Sequence, residues 1–283
     1  MTRRWTTSTP LLAALALGCA SNPPPPMIGG GTPERAPSGE VDRADEVRIT
    51  LANSFRATAT LTRRDSIILT LPDGRSQLQR MARSATISVQ LAGDGQLRVR
   101  LDSLAFMPPL GEATRDAIGT TWQGTLETDG IHGLRPDRRN GITEELTAAI
   151  QELLPAFPRA GARTGTAWQD TTESTRRVEI FDAKDQRRTT WKMDSATTLE
   201  GIEVHPLTVR ERYEQLGEGK QAGRTMRMSA QGVRSATYYI TRTGMVDRIV
   251  QVDSASRLIT IPDTRQAIPT TQVVRTTVEW RYR

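Results

Sequence analysis

Apolar residues recur at two-residue steps through most of this chain, and at three- and four-residue steps over one stretch. In that stretch Ile142, Leu146, Ala149, Ile150, Leu153 and Phe157 share one face, the spacing of an amphipathic helix. Asn140 stands where a side-chain oxygen can cap the first turn. Glu144 and Glu145 then place negative charge near the positive end of the helix and read as a solvated turn. Pro155 disfavours helical geometry at the residue before it, so the pattern predicts one helix at about 142–154. A lone helix of this length is marginal in water, so Ile142, Leu146, Ile150 and Leu153 must face either a packed sheet or a ligand.

The two-residue steps predict strands on both sides of the helix. Val47, Ile49 and Leu51 alternate with polar residues, as do Ile67, Leu69 and Leu71, and Ala85, Ile87, Val89 and Leu91. Gly93-Asp94-Gly95 then turns the chain, and Leu97, Val99 and Leu101 return it, a strong hairpin pattern. After the helix the alternation resumes at Val178, Trp191, Val204 and Val209 and continues to Tyr282. Gly217-Glu218-Gly219-Lys220-Gln221-Ala222 fits the loose dinucleotide fingerprint. A strand pattern follows it where phosphate binding would need a helix N-terminus, so it reads as a hairpin turn. Gly165-Thr166-Ala167-Trp168-Gln169 echoes Gly119-Thr120-Thr121-Trp122-Gln123, either a duplicated turn and strand or chance. Alternation with one wet and one dry face means antiparallel strands, roughly ten to thirteen of them. The expected fold is mainly β: a curved, half-barrel-like antiparallel sheet of two β-rich arms with one central helix.

The first residues read differently. Arg3 and Arg4, the apolar run Leu11 to Leu17 and the small residues after it form an export signal, too short to span a membrane. Ala16-Leu17-Gly18-Cys19 contains the single cysteine of the chain. This stretch resembles the lipobox of bacterial lipoproteins. That resemblance implies cleavage before Cys19, acylation of its sulfur and, with no Asp directly after it, delivery to the outer membrane. Gly18 and Ala20 also suit an ordinary signal-peptidase site, and Arg3-Arg4 a twin-arginine signal. Pro23 to Pro26 and Gly29 to Gly31 follow, an extended then flexible spacer with a mean reach of roughly 25 Å. The expected organisation is a signal peptide at 1–18, a lipidated tether without fold at 19–45, and a β-rich domain with the helix at 46–283.

Composition removes several function classes. With Cys19 as the sole cysteine there is neither a disulfide framework nor a thiolate metal site. His132 and His205 are the only histidines and lack ligand-spaced partners. No nucleophile elbow, paired-His zinc motif or calcium loop occurs, so neither an enzyme nor a cofactor or metal is expected. The formal charge is +6, but the arginines are spread along the strands as the polar half of the alternation, without the patch that nucleic acid needs. Aromatics make up 5% of the chain, too few for the girdles of a transmembrane barrel. In element order the chain is similar to the half-barrel of Lol-type lipoprotein carriers, which implies a concave face for an acyl chain. Two readings stand: a module at the outer membrane, in the periplasm or at the surface, that binds a lipid or other hydrophobic ligand, or a packed module that docks onto envelope partners.

Overall fold

The computed structural model describes residues 48–283 except 72, 73, 129, 159, 179, 222 and 265. Cys19, the export signal and the tether lie outside the described residues.

The chain runs β1 (Arg48–Ile49), β2 (Phe55–Thr70), β3 (Ser76–Leu91), β4 (Gln96–Met107), α1 (Glu112–Ala117), β5 (Thr121–Glu127), β6 (Gly130–Pro136) and α2 (Gly141–Gln151). It continues through β7 (Ala162–Arg163), β8 (Ala167–Val178), β9 (Phe181–Met193), β10 (Thr197–Leu199), β11 (Ile202–Gln221), β12 (Arg224–Thr241), β13 (Val246–Ile261) and β14 (Gln266–Tyr282). Twelve strands form one antiparallel sheet in the order β6-β5-β4-β3-β2-β14-β13-β12-β11-β9-β8, with β10 paired beside β11. The two arms are therefore one continuous surface, joined where β14 pairs with β2. β1 and β7 make a separate two-stranded sheet.

The sheet is curved and open. Its free edges, β6 and β8, are bridged by the segment after α2: the Phe157 amide donates to Thr128 O at 2.8 Å beside β5, while its ring meets Trp168 of β8 edge-on at 6.2 Å. Inside the curve one core combines Leu61, Ile87 and Val99 from the first arm with Leu207, Tyr238 and Ile249 from the second. α2 fills it. Leu146, Ile150 and Leu153 are each 2% exposed, and each such burial contributes about 1.5–3 kcal/mol. Ile142 packs at the margin of the same core.

α2 begins where the sequence predicts. Asn140 Oδ1 accepts from the Thr143 amide and Thr143 Oγ1 accepts from the Asn140 amide, both at 2.9 Å, a reciprocal cap that satisfies two orphan donors. The helix stops earlier than predicted, at Gln151. The amides of Glu152 and Leu153 bond three residues back, to Ala149 O and Ile150 O, the tightening usual at a helix end. Leu153 thus enters the core from the cap and not from the helix. α1, with EATRDA and Ala117 fully buried, has no apolar periodicity to betray it.

The Gly93-Asp94-Gly95 hairpin is present between β3 and β4, with Gly95 at φ 84°. Gly217 to Gln221 are strand and not turn. Gly217 and Gly219 lie inside β11 opposite Ala183 and Phe181 of β9. A Cβ on Gly217 would stand 3.0 Å from the Ala183 side chain, so glycine there permits close strand approach and β11 runs on to Gln221.

Candidate functional site

Alternation assigns every second residue to the concave face, and that face changes character along the strands. Near α2 the inner positions are apolar. On β11 the inner row reads Leu207, Val209, Glu211, Tyr213 and Gln215, and on β12 it reads Tyr238, Ala236 and Arg234, cross-paired with the first three. β2 and β3 contribute Arg63, Asp65 and Arg83 beyond Leu61 and Ala85. A belt of charged and hydrogen-bonding side chains therefore crosses the inside of the sheet at the end of α2.

Its members are largely buried, and each has at least one ion-pair or hydrogen-bond neighbour. Glu211, 4% exposed, accepts from Arg187 Nη1 at 2.6 Å and from Thr189 Oγ1 at 3.2 Å, and stands 3.5 Å from Arg234 Nε. Arg187 also donates through Nε to Asp185 at 2.6 Å. Its guanidinium lies 5.3 Å from the centre of the Tyr213 ring, a cation–π contact. Tyr213 can lie across the sheet because Gly232 is opposite it; a Cβ there would collide with the ring. So placed, Tyr213 donates to Asp253 Oδ1 at 2.9 Å.

α2 ties the belt to both arms. Glu145 Oε1 lies 2.5 Å from Arg83 Nη1 while its side chain remains 49% exposed, so this carboxylate is solvated, as expected, and also pairs with the sheet. Glu152 lies 2.8 Å from Arg234 Nη1, accepts from Gln251 at 3.1 Å, and its carbonyl accepts from Tyr238 at 3.0 Å. Trp122 of β5 donates to Thr147 at 2.7 Å.

Burial and pairing pull these groups in different directions. Burial opposes charge on Arg234, but the carboxylates of Glu152 and Glu211 outweigh it and the net shift is upward. For Arg83 burial, reinforced by the like charge of Arg63, outweighs Glu145 and Asp65, and the pKa falls. Burial lifts Asp253 against the Tyr213 hydrogen bond, and pushes Tyr238 up to about 12. Buried charge is weak as a source of stability, so such a concentration in an otherwise apolar face marks a functional candidate.

A cavity of about 110 Å³ lies between the end of α2 and the belt, lined by Arg63, Arg83, Glu152, Gln251, Asp253 and Leu153 among others. Three open depressions of about 540–570 Å³ lie on the outer face between strands. The helix stripe Leu146, Ile150 and Leu153 sits in the core on the far side of the belt from the remaining concave face, with Ile142 at its margin. No group of three His, Cys, Asp or Glu among the described residues could hold a metal ion.

The two histidines are apart, His132 on β6 and His205 on β11. His205 is 1% exposed and both ring nitrogens lack a hydrogen-bond partner among the described residues, so burial holds its pKa below the ordinary imidazole value. The unfolded chain then takes the proton first. Stability from this group is present above about pH 6.5 and is lost as the pH falls toward the depressed folded value. Melting temperatures across this range should fall more steeply for the wild type than for His205→Leu; parallel curves would contradict the assignment.

The belt arginines escape a reading that treats arginine as the wet half of a strand. Parity would have found them: Arg83 keeps the phase of Ala85 and Ile87, Arg234 that of Ala236 and Tyr238, and Glu211 that of Val209.

No protein-family model matches the chain, and no curated protein does. Among solved structures, the chain is similar to Neisserial surface protein A, with 6% identity over 78% of this chain and 96% of that one, at a TM-score of 0.20. It is also similar to a LolA superfamily protein from Nitrosomonas europaea, with 9% identity over 84% and 88% of the two chains, again at 0.20. Scores this low carry no argument, so the sheet and its belt stand on their own geometry. No helix among the described residues is long and apolar enough to cross a membrane.

Proposed function

We propose that the chain is a non-enzymatic envelope lipoprotein, held at the outer membrane through Cys19, whose β domain binds a ligand with an apolar tail on the concave face beyond α2. One observation carries the ligand: the helix covers only part of that face. At 11 residues α2 is about 16 Å long, whereas the 20 residues of β11 run about 65 Å. Past the belt the inner rows are apolar on β2, β9 and β12, and again at the far ends of β13 and β14. Phe181, Ala183 and Met228 form a second small core, and Ile67, Leu69, Met226, Ile259 and Ile268 are left half-buried around it. An apolar concave surface bounded by polar groups is the usual make-up of a ligand site. The cavity under α2, at about 110 Å³, is far too small for an acyl chain, so the tail belongs beyond the belt and not beneath the helix.

The membrane assignment rests on Cys19 and the export pattern around it. Cys19→Ser should leave the membrane pellet and lose its acyl mass; an unchanged pellet would refute anchoring. For the ligand, extraction and mass spectrometry of protein purified from its own membranes should recover an apolar compound. Leu69→Asp and Ile259→Asp should abolish uptake of a hydrophobic fluorescent probe while the fold persists. Uptake equal to wild type in both variants would refute the site and leave the second reading, a packed module that docks onto envelope proteins. Leu216 and Leu258, exposed on the outer face, favour that second reading.

A further inference from the structure

Arg63 and Arg83 face each other across β2 and β3, and their guanidinium groups are differently served. Arg63 gives the edge formed by Nε and Nη2 to Asp65: Nε reaches Oδ2 at 2.9 Å and Nη2 reaches Oδ1 at 2.8 Å. Arg83 turns its other nitrogen, Nη1, to Glu145. Its Nε and Nη2 have no hydrogen-bond partner among the described residues although the residue is 5% exposed. This is the same edge that Asp65 fills on Arg63, and its two parallel N–H groups match the two oxygens of a carboxylate. Leaving such donors buried and unpaired is unfavourable, and Arg83 lines the 110 Å³ cavity.

We propose that Arg83 and this cavity hold the headgroup of a long-chain carboxylic acid whose tail lies on the bare concave face, an inference that rests on the apolar-tail reading above. The cavity admits a carboxylate and its first methylenes. Glu152 and Asp253 also line it, so the second negative charge of a phosphate monoester would meet two acidic side chains. From the cavity the inner rows reach the apolar surface past a short polar step: Val274 through Gln272 and Thr270 to Ile268 on β14, and Asp253 through Ala255 and Arg257 to Ile259 on β13. The six-residue step from Val274 to Ile268 covers about 20 Å, the length of an extended acyl tail.

The test is calorimetric titration of the delipidated full chain with oleate, oleyl alcohol and oleyl phosphate. Oleate should bind most tightly. Arg83→Gln and Arg83→Lys should each weaken oleate by about 10- to 100-fold and leave oleyl alcohol unchanged. Arg83→Lys keeps the charge against Glu145 but lacks the two-point edge, so it decides the matter should Arg83→Gln fail to fold. Oleate binding unchanged in Arg83→Lys, or lost in Arg257→Gln instead, would overturn the site. Tighter binding of oleyl phosphate would overturn the carboxylate class. If the wild type bound neither oleate nor oleyl alcohol, the apolar-tail reading itself would fall, whereas equal binding of acid and alcohol would overturn only the headgroup site.

Discussion

Glu211→Ala should lower the unfolding free energy by about 3–5 kcal/mol, the range for breaking a buried ion pair from one side. The carboxylate stands between Arg187 and Arg234 and also accepts from Thr189. Removing it leaves two guanidiniums in a region that excludes water, each with fewer acceptors than donors. The companion variant is Glu211→Met with Arg234→Met, which replaces the pair by apolar volume. Arg187 then keeps Asp185 and Glu152 keeps Gln251, so much of the loss should be recovered. Urea unfolding of both measures it. A single variant within about 0.5 kcal/mol of wild type, the level of an ordinary surface change, would show that the belt is solvated and not buried as described.

Ile150→Ala should cost about 2–5 kcal/mol. Its side chain is fully enclosed between the sheet arms, and the surrounding strands, held by ladders on both sides, cannot collapse into the space left. Leu146→Ala should behave alike. Because this stripe packs on the helix side of the belt, uptake of a hydrophobic probe should be unaffected at temperatures where the variants remain folded. A small stability loss joined to a marked change in uptake would mean that the helix lines the ligand site and that the tail does not lie beyond the belt.

Local chemistry explains what can be read without the structure. Asn140 and the apolar stripe locate α2 because caps and periodicity act within a few residues, whereas Pro155 sets only an outer limit to its end at Gln151. Gly93-Asp94-Gly95 and Thr243-Gly244 locate hairpins for the same reason; Gly244 has φ 82°, a value that glycine adopts without a Cβ penalty. The start of β2 is harder to see. Phe55-Arg56-Ala57-Thr58-Ala59-Thr60 buries Ala57 and Ala59 completely or nearly so, yet alanine against threonine gives little contrast in polarity. Thr120-Thr121-Trp122 and Thr166-Ala167-Trp168 each follow a glycine with positive φ, Gly119 and Gly165, and each leads an inward tryptophan into β5 and β8 near the two free edges. The belt was the least legible part. A buried arginine and an exposed one are the same letter, and only the phase carried along a whole strand from its apolar end distinguishes them. Pairing such as Arg187 with Glu211, 24 residues apart, depends on strand order and so cannot be seen in either strand alone.

Strand order also governs how this sheet assembles. β2 finds one of its two partners in β14, some two hundred residues further along the chain. Until β14 is in place, β2 and β13 each have one unpaired edge. Pairing across some two hundred residues is slow because chain closure precedes any compensating contact. Most strands of each arm pair with their neighbours in the chain, so the hairpins of the arms form first and the β2–β14 seam that joins them closes last.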